Sequence, residues 1–311
     1  MKTILVTGVS GFVGKYLVEE ILQHNKFKII GMGRRDFVYS NSNFSYFKGD
    51  LLNRNDLKQI NFKQIDKIIH LAANSSVGLS FNHIQEFINN NINSEVNLFE
   101  EIKAQKAQPE FLIVSSGSVY SNLARPPIKE TALTDVYSPY SLTKLFQEKL
   151  AKYYFNLGFK IVIARPFNHI GPNQSTGFLI PDLMEQILLI KKGHKKVIRT
   201  GNLSSKRDYT DVRDVVRAYY LLIDNFNFKK FEIYNVCSGK SISGQELLKQ
   251  LLNLADLEFV KTEIEPNLIR PIDNPNIYGS FNKIKKDFGW QPVIDLQDSL
   301  KDILRFKNVI Q

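Results

Sequence analysis

Short apolar runs alternate with stretches of helical spacing along the first half of the chain. The first run, Thr3-Ile4-Leu5-Val6, has no polar break and reads as a strand buried on both faces. After it, Phe12, Val13, Tyr16, Leu17 and Leu22 recur three to four apart, the spacing of an amphipathic helix. The alternation continues to about Arg165, with strands predicted at 28–32, 44–48, 66–71 and 110–114. A long helix is predicted over 83–103, with Ile84, Ile88, Ile92, Val96, Phe99 and Ile102 on one stripe. Phe87 and Leu98 widen its apolar surface, so it is mostly core with some area left for a second subunit. Another helix over 140–157 carries Leu145, Phe146, Leu150, Tyr153 and Tyr154, and a helix at 211–222 precedes a strand at 232–236. Strand and helix in alternation predict an α/β fold, a doubly wound parallel sheet with helices on both faces.

The turn between the first strand and helix reads Thr7-Gly8-Val9-Ser10-Gly11-Phe12-Val13-Gly14. Gly8 and Gly11 let the backbone approach a pyrophosphate, which free N–H groups and the helix dipole stabilise. Gly14 lets the helix lie close on the strand. An ordinary glycine turn would explain an isolated match, but strand before and helix after favour a dinucleotide site of Rossmann type. Ser10, Phe12 and Val13 belong to the same turn. About twenty residues past the last glycine an acid would hold the ribose 2′-hydroxyl of NAD. Arg34 and Arg35 stand there and suit a 2′-phosphate, so NADP(H) is expected ahead of NAD(H), unless both side chains point into solvent. Asp50 and Leu51 are placed to reach the adenine, and Leu71, Ala72, Ala73 and Pro166 to line the cofactor at strand ends. His70, within an apolar strand, reads as a satisfied core histidine.

Ser116 follows the predicted strand 110–114. Tyr140 and Lys144 are four apart on a predicted helix and share a face. An ammonium beside a phenol favours phenolate, so the tyrosine pKa is expected to fall toward working pH and the group to act as acid and base. Tyr-x-x-x-Lys alone is a common chance match. Downstream of the glycine turn and of Ser116 it is specific.

Bulk composition narrows the picture further. The charge of +10 is scattered, and its densest cluster, 191–196, reads as a solvated loop, so no nucleic-acid partner is expected. No apolar run approaches a bilayer span, and a cytoplasmic protein without membrane contact is expected. Cys237 is the only cysteine, which excludes an internal disulfide and any thiol-rich metal site. No metal is expected.

These motifs together resemble the extended short-chain dehydrogenases/reductases that modify nucleotide sugars, over essentially the whole chain. The resemblance implies a Rossmann domain at 1–167 plus about 209–238. A smaller C-terminal nucleotide-sugar-binding domain would comprise about 168–208 plus 239–311. It implies Tyr140 as acid/base, Ser116 bonded to the reacting oxygen, and Lys144 on the nicotinamide ribose. The segments Arg165-Pro166-Phe167-Asn168-His169-Ile170-Gly171-Pro172-Asn173-Gln174, Gly201-Asn202-Leu203, Lys206-Arg207-Asp208-Tyr209 and Leu268-Ile269-Arg270-Pro271 are similar to the GDP-6-deoxy-D-mannose reductase subgroup. That likeness implies reduction of a GDP-linked 4-keto-6-deoxy sugar, hexose or heptose, for surface polysaccharide. Ser75, Ser118, Asn168, Asn173, Gln174, Arg207 and Arg270 would meet the substrate. Asn173 departs from the subgroup, where a glycine is usual.

Arginines suit a nucleotide diphosphate, whose oxygens match the planar fork. For Arg213 and Arg217 a helix-surface ion pair with a neighbouring Asp is the preferred reading. That reading is weaker for Arg207 and Arg270, which are expected in loops. At Ser118, related dehydratases carry a glutamate and fucose synthases a cysteine. A serine is too weak a base for carbon deprotonation. A 4-epimerase or 4,6-dehydratase with tightly held NAD is the alternative, and a non-catalytic nucleotide-binding regulator is disfavoured by the intact Ser116, Tyr140 and Lys144. A homodimer is expected, built from the 83–103 and 140–157 helices.

Overall fold

The unbroken apolar runs form a parallel sheet covered on both faces. The computed structural model describes residues 1–257, 260–269 and 271–310. Its sheet contains β1 (Lys2–Thr7), β2 (Phe27–Gly33), β3 (Phe44–Lys48), β4 (Lys67–His70), β5 (Glu110–Val114), β6 (Lys160–Pro166) and β7 (Glu232–Val236). The order is β7-β6-β5-β4-β1-β2-β3, with every neighbour parallel. Strand order reverses between β1 and β4, and the crevice outside their carboxyl ends is where such sheets take ligands.

Helices α1 (Phe12–Gln23), α2 (Ser94–Ala104), α3 (Pro139–Asn156) and α4 (Val212–Asn225) pack on this sheet. Successive β1 side chains face opposite ways. Ile4 and Val6 join Leu17, Val215 and Tyr219 of α1 and α4, while Leu5 joins Leu98, Phe99 and Tyr154 of α2 and α3. The start of α3 is set by Ser138 and Ser141, whose side chains each accept from or donate to the other's backbone in a capping box. Pro139 fits the first turn because its missing N–H would have had no helical partner. Among the described residues no helix is long and apolar enough to cross a membrane.

The helix expected over 83–103 is present as Ile84–Phe87, a π-helical Ile88–Asn93 and α2. Its predicted core stripe is only partly the buried one. Ile84 is exposed and Ile88, Ile92 and Val96 are half-buried, whereas Asn91, Ser94 and Glu95 are buried beside Phe87, Leu98 and Ile102. The π-helical turn at Ile88–Asn93 shifts the phase of the helix, so the isoleucine series does not stay on the buried face and polar side chains complete that face instead.

The chain leaves the sheet after β6. Asn168–Ile170 pairs in parallel with Tyr209–Asp211 where the chain comes back, and α4 and β7 then join the sheet. A separate core outside the sheet gathers Met184, Ile187, Leu247, Leu251, Leu300 and Leu304. The basic segment 191–196 follows a helix and is largely exposed, as expected.

Candidate active site

β1 delivers the chain into Gly8, whose φ of +72° is the left-handed region that favours glycine. A Cβ there would lie 2.9 Å from Ala72 Cα and N, so the strand end at 71–72 closes directly on the turn. At Gly14 a Cβ would lie 2.5 Å from the Val9 carbonyl oxygen, which shows how closely α1 approaches β1. The Gly11 cap of α1 contributes no side-chain hydrogen bond, and the first turn holds no acid. Its N–H groups are thus left for an anion. Ser10, Phe12 and Val13 are half-buried around this turn, and a Cβ on Gly33 would meet Ser10 Oγ at 2.9 Å. Arg34 and Arg35 follow directly from Gly33; both are exposed, and neither makes an ion pair among the described residues.

Asp50 and Leu51 sit at the end of β3. Asp50 Oδ1 accepts from Leu52 N at 3.0 Å, while Leu51 is buried. Ala73 is half-buried beside Leu71 and Ala72, and Ala72 N donates to Thr7 Oγ1 at 3.3 Å. His70 is buried as expected but only half satisfied. Nδ1 lies 2.9 Å from Thr7 Oγ1, Nε2 has no partner among the described residues, and burial pushes its pKa down to about 3, so the ring is neutral.

Ser116 is the first residue of the turn after β5 to accept a local bond, from Ser118 N at 3.1 Å. Tyr140, in the first turn of α3, is 7% exposed with its ring edge-on to Phe87. The Ser116 hydroxyl is near enough to the Tyr140 phenol to affect its ionisation. Desolvation pushes the phenol up to about 12, with Ser116 pulling the other way. The lowering expected from Lys144 is therefore corrected: burial outweighs it, and the group is held as a neutral phenol. Lys144 Nζ donates to the Val114 carbonyl at 2.9 Å, which anchors it under the end of β5. Burial also pushes its pKa down, opposed by the negative charges of Glu95 and Glu148.

Residues that the sequence pattern did not single out hold this centre in place. Arg165 makes two bonds to Glu148, Nε to Oε1 at 2.8 Å and Nη2 to Oε2 at 2.6 Å, and Ser115 Oγ donates to the same carboxylate. That buried group ties α3 to β5 and β6, and Pro166 closes β6 behind it. Asn91 Nδ2 donates to Thr143 Oγ1 at 2.9 Å and to Asn74 O at 3.1 Å, tying the loop after β4 to α3. The run Asn89-Asn90-Asn91 inside an apolar helix was the available signal.

The residues assigned to substrate by resemblance fare unevenly. Ser118 Oγ is buried near Ser116, whose Oγ accepts from Ser118 N, and has no partner of its own among the described residues. Asn168 is exposed, and the loop it starts is tied down on α1 by Tyr16, whose hydroxyl donates to Pro172 O at 2.9 Å. Phe12 and His169 stack across the same junction at 6.2 Å. Gln174 Nε2 donates to His169 O, and its Oε1 is buried without a partner among the described residues. Asn173 has φ +67°, which explains why glycine is usual there: the backbone is left-handed, a region asparagine tolerates better than most residues. Ser75 is exposed in the loop after β4.

The loop placement and the weak ion-pair reading expected for Arg207 are corrected. This residue lies in a short strand, Lys206–Arg207, and its guanidinium is already paired with Asp273 and donates to Asn274 O at 2.6 Å. Arg213 pairs with Asp211 and Asp302, and Arg217 with Asp214, as the helix-surface reading expected. Arg270 lies outside the described residues.

A parallel sheet with a glycine-lined strand-to-helix turn, and a Ser-Tyr-Lys centre at its carboxyl edge, define an extended short-chain dehydrogenase/reductase, an NAD(P)-dependent enzyme class. The GDP-mannose 4,6 dehydratase family model matches residues 5–303, and the chain belongs to that family. It is 31% identical over 306 residues to GDP-6-deoxy-D-mannose reductase of Pseudomonas aeruginosa, covering 97% of this chain and 95% of that one. The solved structure of RMD from Pseudomonas aeruginosa complexed with NADPH superposes with a TM-score of 0.83 at 29% identity, covering 98% of both chains. UDP-glucose 4-epimerase of Pisum sativum is 27% identical, over 96% of this chain and 93% of that one.

Proposed function

We propose that this enzyme uses NADPH to reduce the 4-keto group of a GDP-linked 4-keto-6-deoxy sugar. GDP-4-keto-6-deoxy-D-mannose, giving GDP-D-rhamnose, or a heptose analogue fits this reading. The observation that carries it is the neutral, buried Tyr140 phenol beside Ser116, with an unpartnered serine hydroxyl rather than a carboxylate at position 118. Support comes also from the likeness to the Pseudomonas aeruginosa reductase and its NADPH complex.

The residues present fit the cofactor. Glycine at position 8 keeps the turn close on the strand end at 71–72, the head of α1 is uncapped and free of acids, and Arg34 and Arg35 are exposed just after Gly33, which lies against Ser10, for a 2′-phosphate. When bound, the reduced nicotinamide supplies a hydride to the carbonyl carbon. The Tyr140 hydroxyl then gives its proton to the carbonyl oxygen, which Ser116 orients by a hydrogen bond. Lys144 holds positive charge behind the phenol, so the phenolate left after transfer is stabilised. Residues 1–167 plus about 209–238 are assigned to cofactor, and about 168–208 plus 239–311, with their own apolar core, to the sugar nucleotide.

The test is NADPH oxidation measured against a panel of GDP-, dTDP- and UDP-linked 4-keto sugars. Turnover with the GDP compound and consumption of one NADPH per product support the proposal. Interconversion of 4-epimers without net NADPH consumption would replace it with the epimerase reading.

A further inference from the structure

Beneath Lys144 the structure buries a second acid that the chemistry above does not use. Glu95, on α2, is fully buried. Its Oε2 accepts from Gln147 Nε2 on α3, and its Oε1 has no partner among the described residues. The other carboxylate near Lys144, Glu148, is paired with Arg165 and accepts from Ser115 Oγ. Glu95 has no cation of its own and makes no direct ion pair among the described residues. Gln147, which donates to it, stands one turn after Lys144 on α3, so the buried carboxyl and the buried ammonium lie along the same helix face.

We propose that Glu95 is a positioning residue for the proton on Lys144, its buried carboxyl keeping the lysine cationic behind Tyr140 into the alkaline range. This inference rests on the reading of Tyr140 and Lys144 as the reaction centre. Burial pushes the carboxyl up to about 8, so Glu95 is neutral in mildly acidic conditions. As pH rises it gives up its proton, and the new negative charge opposes loss of the proton on Lys144. The neighbouring groups do not compete for this role. Tyr154 donates to Glu100, and His70, which faces Lys144 from β4, is held neutral.

The first measurement needs neither cofactor nor substrate. Unfolding temperatures of wild type, Glu95→Gln and Glu95→Leu are compared from about pH 5 to pH 8, the window between the unfolded and folded values of the carboxyl. An acid whose folded pKa is raised loses stability as pH climbs through that window. Both variants should therefore gain on wild type by at least about 2 °C across it. An offset constant with pH would show that Glu95 does not titrate in this window and overturns the proposal, while its action on Lys144 is read from the second measurement. The second measurement follows NADPH oxidation with GDP-4-keto-6-deoxy-D-mannose against pH. The ratio of Glu95→Gln to wild-type turnover should fall as pH rises, with the alkaline limb about one unit lower. Tyr140→Phe serves as the reference. If it abolishes turnover while Glu95→Gln leaves the alkaline limb in place, this inference alone fails. If it retains turnover, the reaction-centre reading fails.

Discussion

Replacing Tyr140 by Phe removes one hydroxyl and little else. The ring keeps its edge-on contact with Phe87, centroids 6.4 Å apart, and the helix cap at Ser138 is untouched. The Ser116 hydroxyl loses a polar neighbour, at a cost of about 1 kcal/mol of stability at most. Turnover should suffer far more, because the proton donor is gone. A placed general acid is worth ~10²–10⁴-fold, or ~3–5 kcal/mol in the barrier. The burial of the phenol adds a second, sharper expectation. With its pKa near 12, the hydroxyl is five units above pH 7, so only about one part in 10⁵ is ionised there. Reduction needs the protonated form, and its rate should show no alkaline limb from this phenol below about pH 10. Two assays check these points. NADPH oxidation with the GDP-linked keto sugar gives turnover, with NADPH affinity followed separately by fluorescence. The wild-type minus Tyr140→Phe ultraviolet difference spectrum reports tyrosinate formation against pH. Near-full turnover in the variant, or a difference spectrum that titrates below about pH 9, would refute the reasoning.

Changing Arg34 and Arg35 to alanine should weaken NADPH by ~10–100-fold while leaving NADH nearly unchanged, since a hydrogen bond to a charged group is worth about 1.5–3 kcal/mol; equal losses for both cofactors in titrations would remove the arginines from the 2′-phosphate. Because Ser118 supplies no base, product formed in deuterated water should carry no enzyme-incorporated deuterium at ring C3 or C5, and mass or magnetic resonance spectra showing it at either carbon would overturn the simple-reductase reading. Ile84, Leu142, Phe146, Tyr153 and Leu157 are exposed on the two helices expected to pair, so light scattering at micromolar concentration should give a dimer mass, and Leu142→Asp with Phe146→Asp should give a monomer; a monomeric wild type would sink the expectation.

How far the sequence could be read depended on whether the signal was local. β1, the glycine turn and α1 are a continuous apolar run, a left-handed Gly8 and a helix that begins without a cap, all set by neighbours in sequence. The spacing of Tyr140 and Lys144 is equally local. What eluded the pattern was the environment built by distant elements. Position alone suggests that Lys144 lowers the phenol pKa, but burial, with the ring packed against Phe87, decides its direction. Arg207 looked free because Asp273, its partner, lies 66 residues away. Asn91 and Glu95 broke an apolar stripe, and only the approach of Thr143 and Gln147 shows what they are for.

The parallel pairing of Asn168–Ile170 with Tyr209–Asp211 has a mechanical consequence. The outgoing and returning segments do not run as two separate tethers between the sheet and the outer core. They are joined side by side, so neither can slide along the other without breaking the ladder of backbone hydrogen bonds between them. The outgoing and returning segments must therefore move together. Hydrogen exchange at 168–170 and 209–211 should show one common opening, and independent protection of the two segments would contradict it.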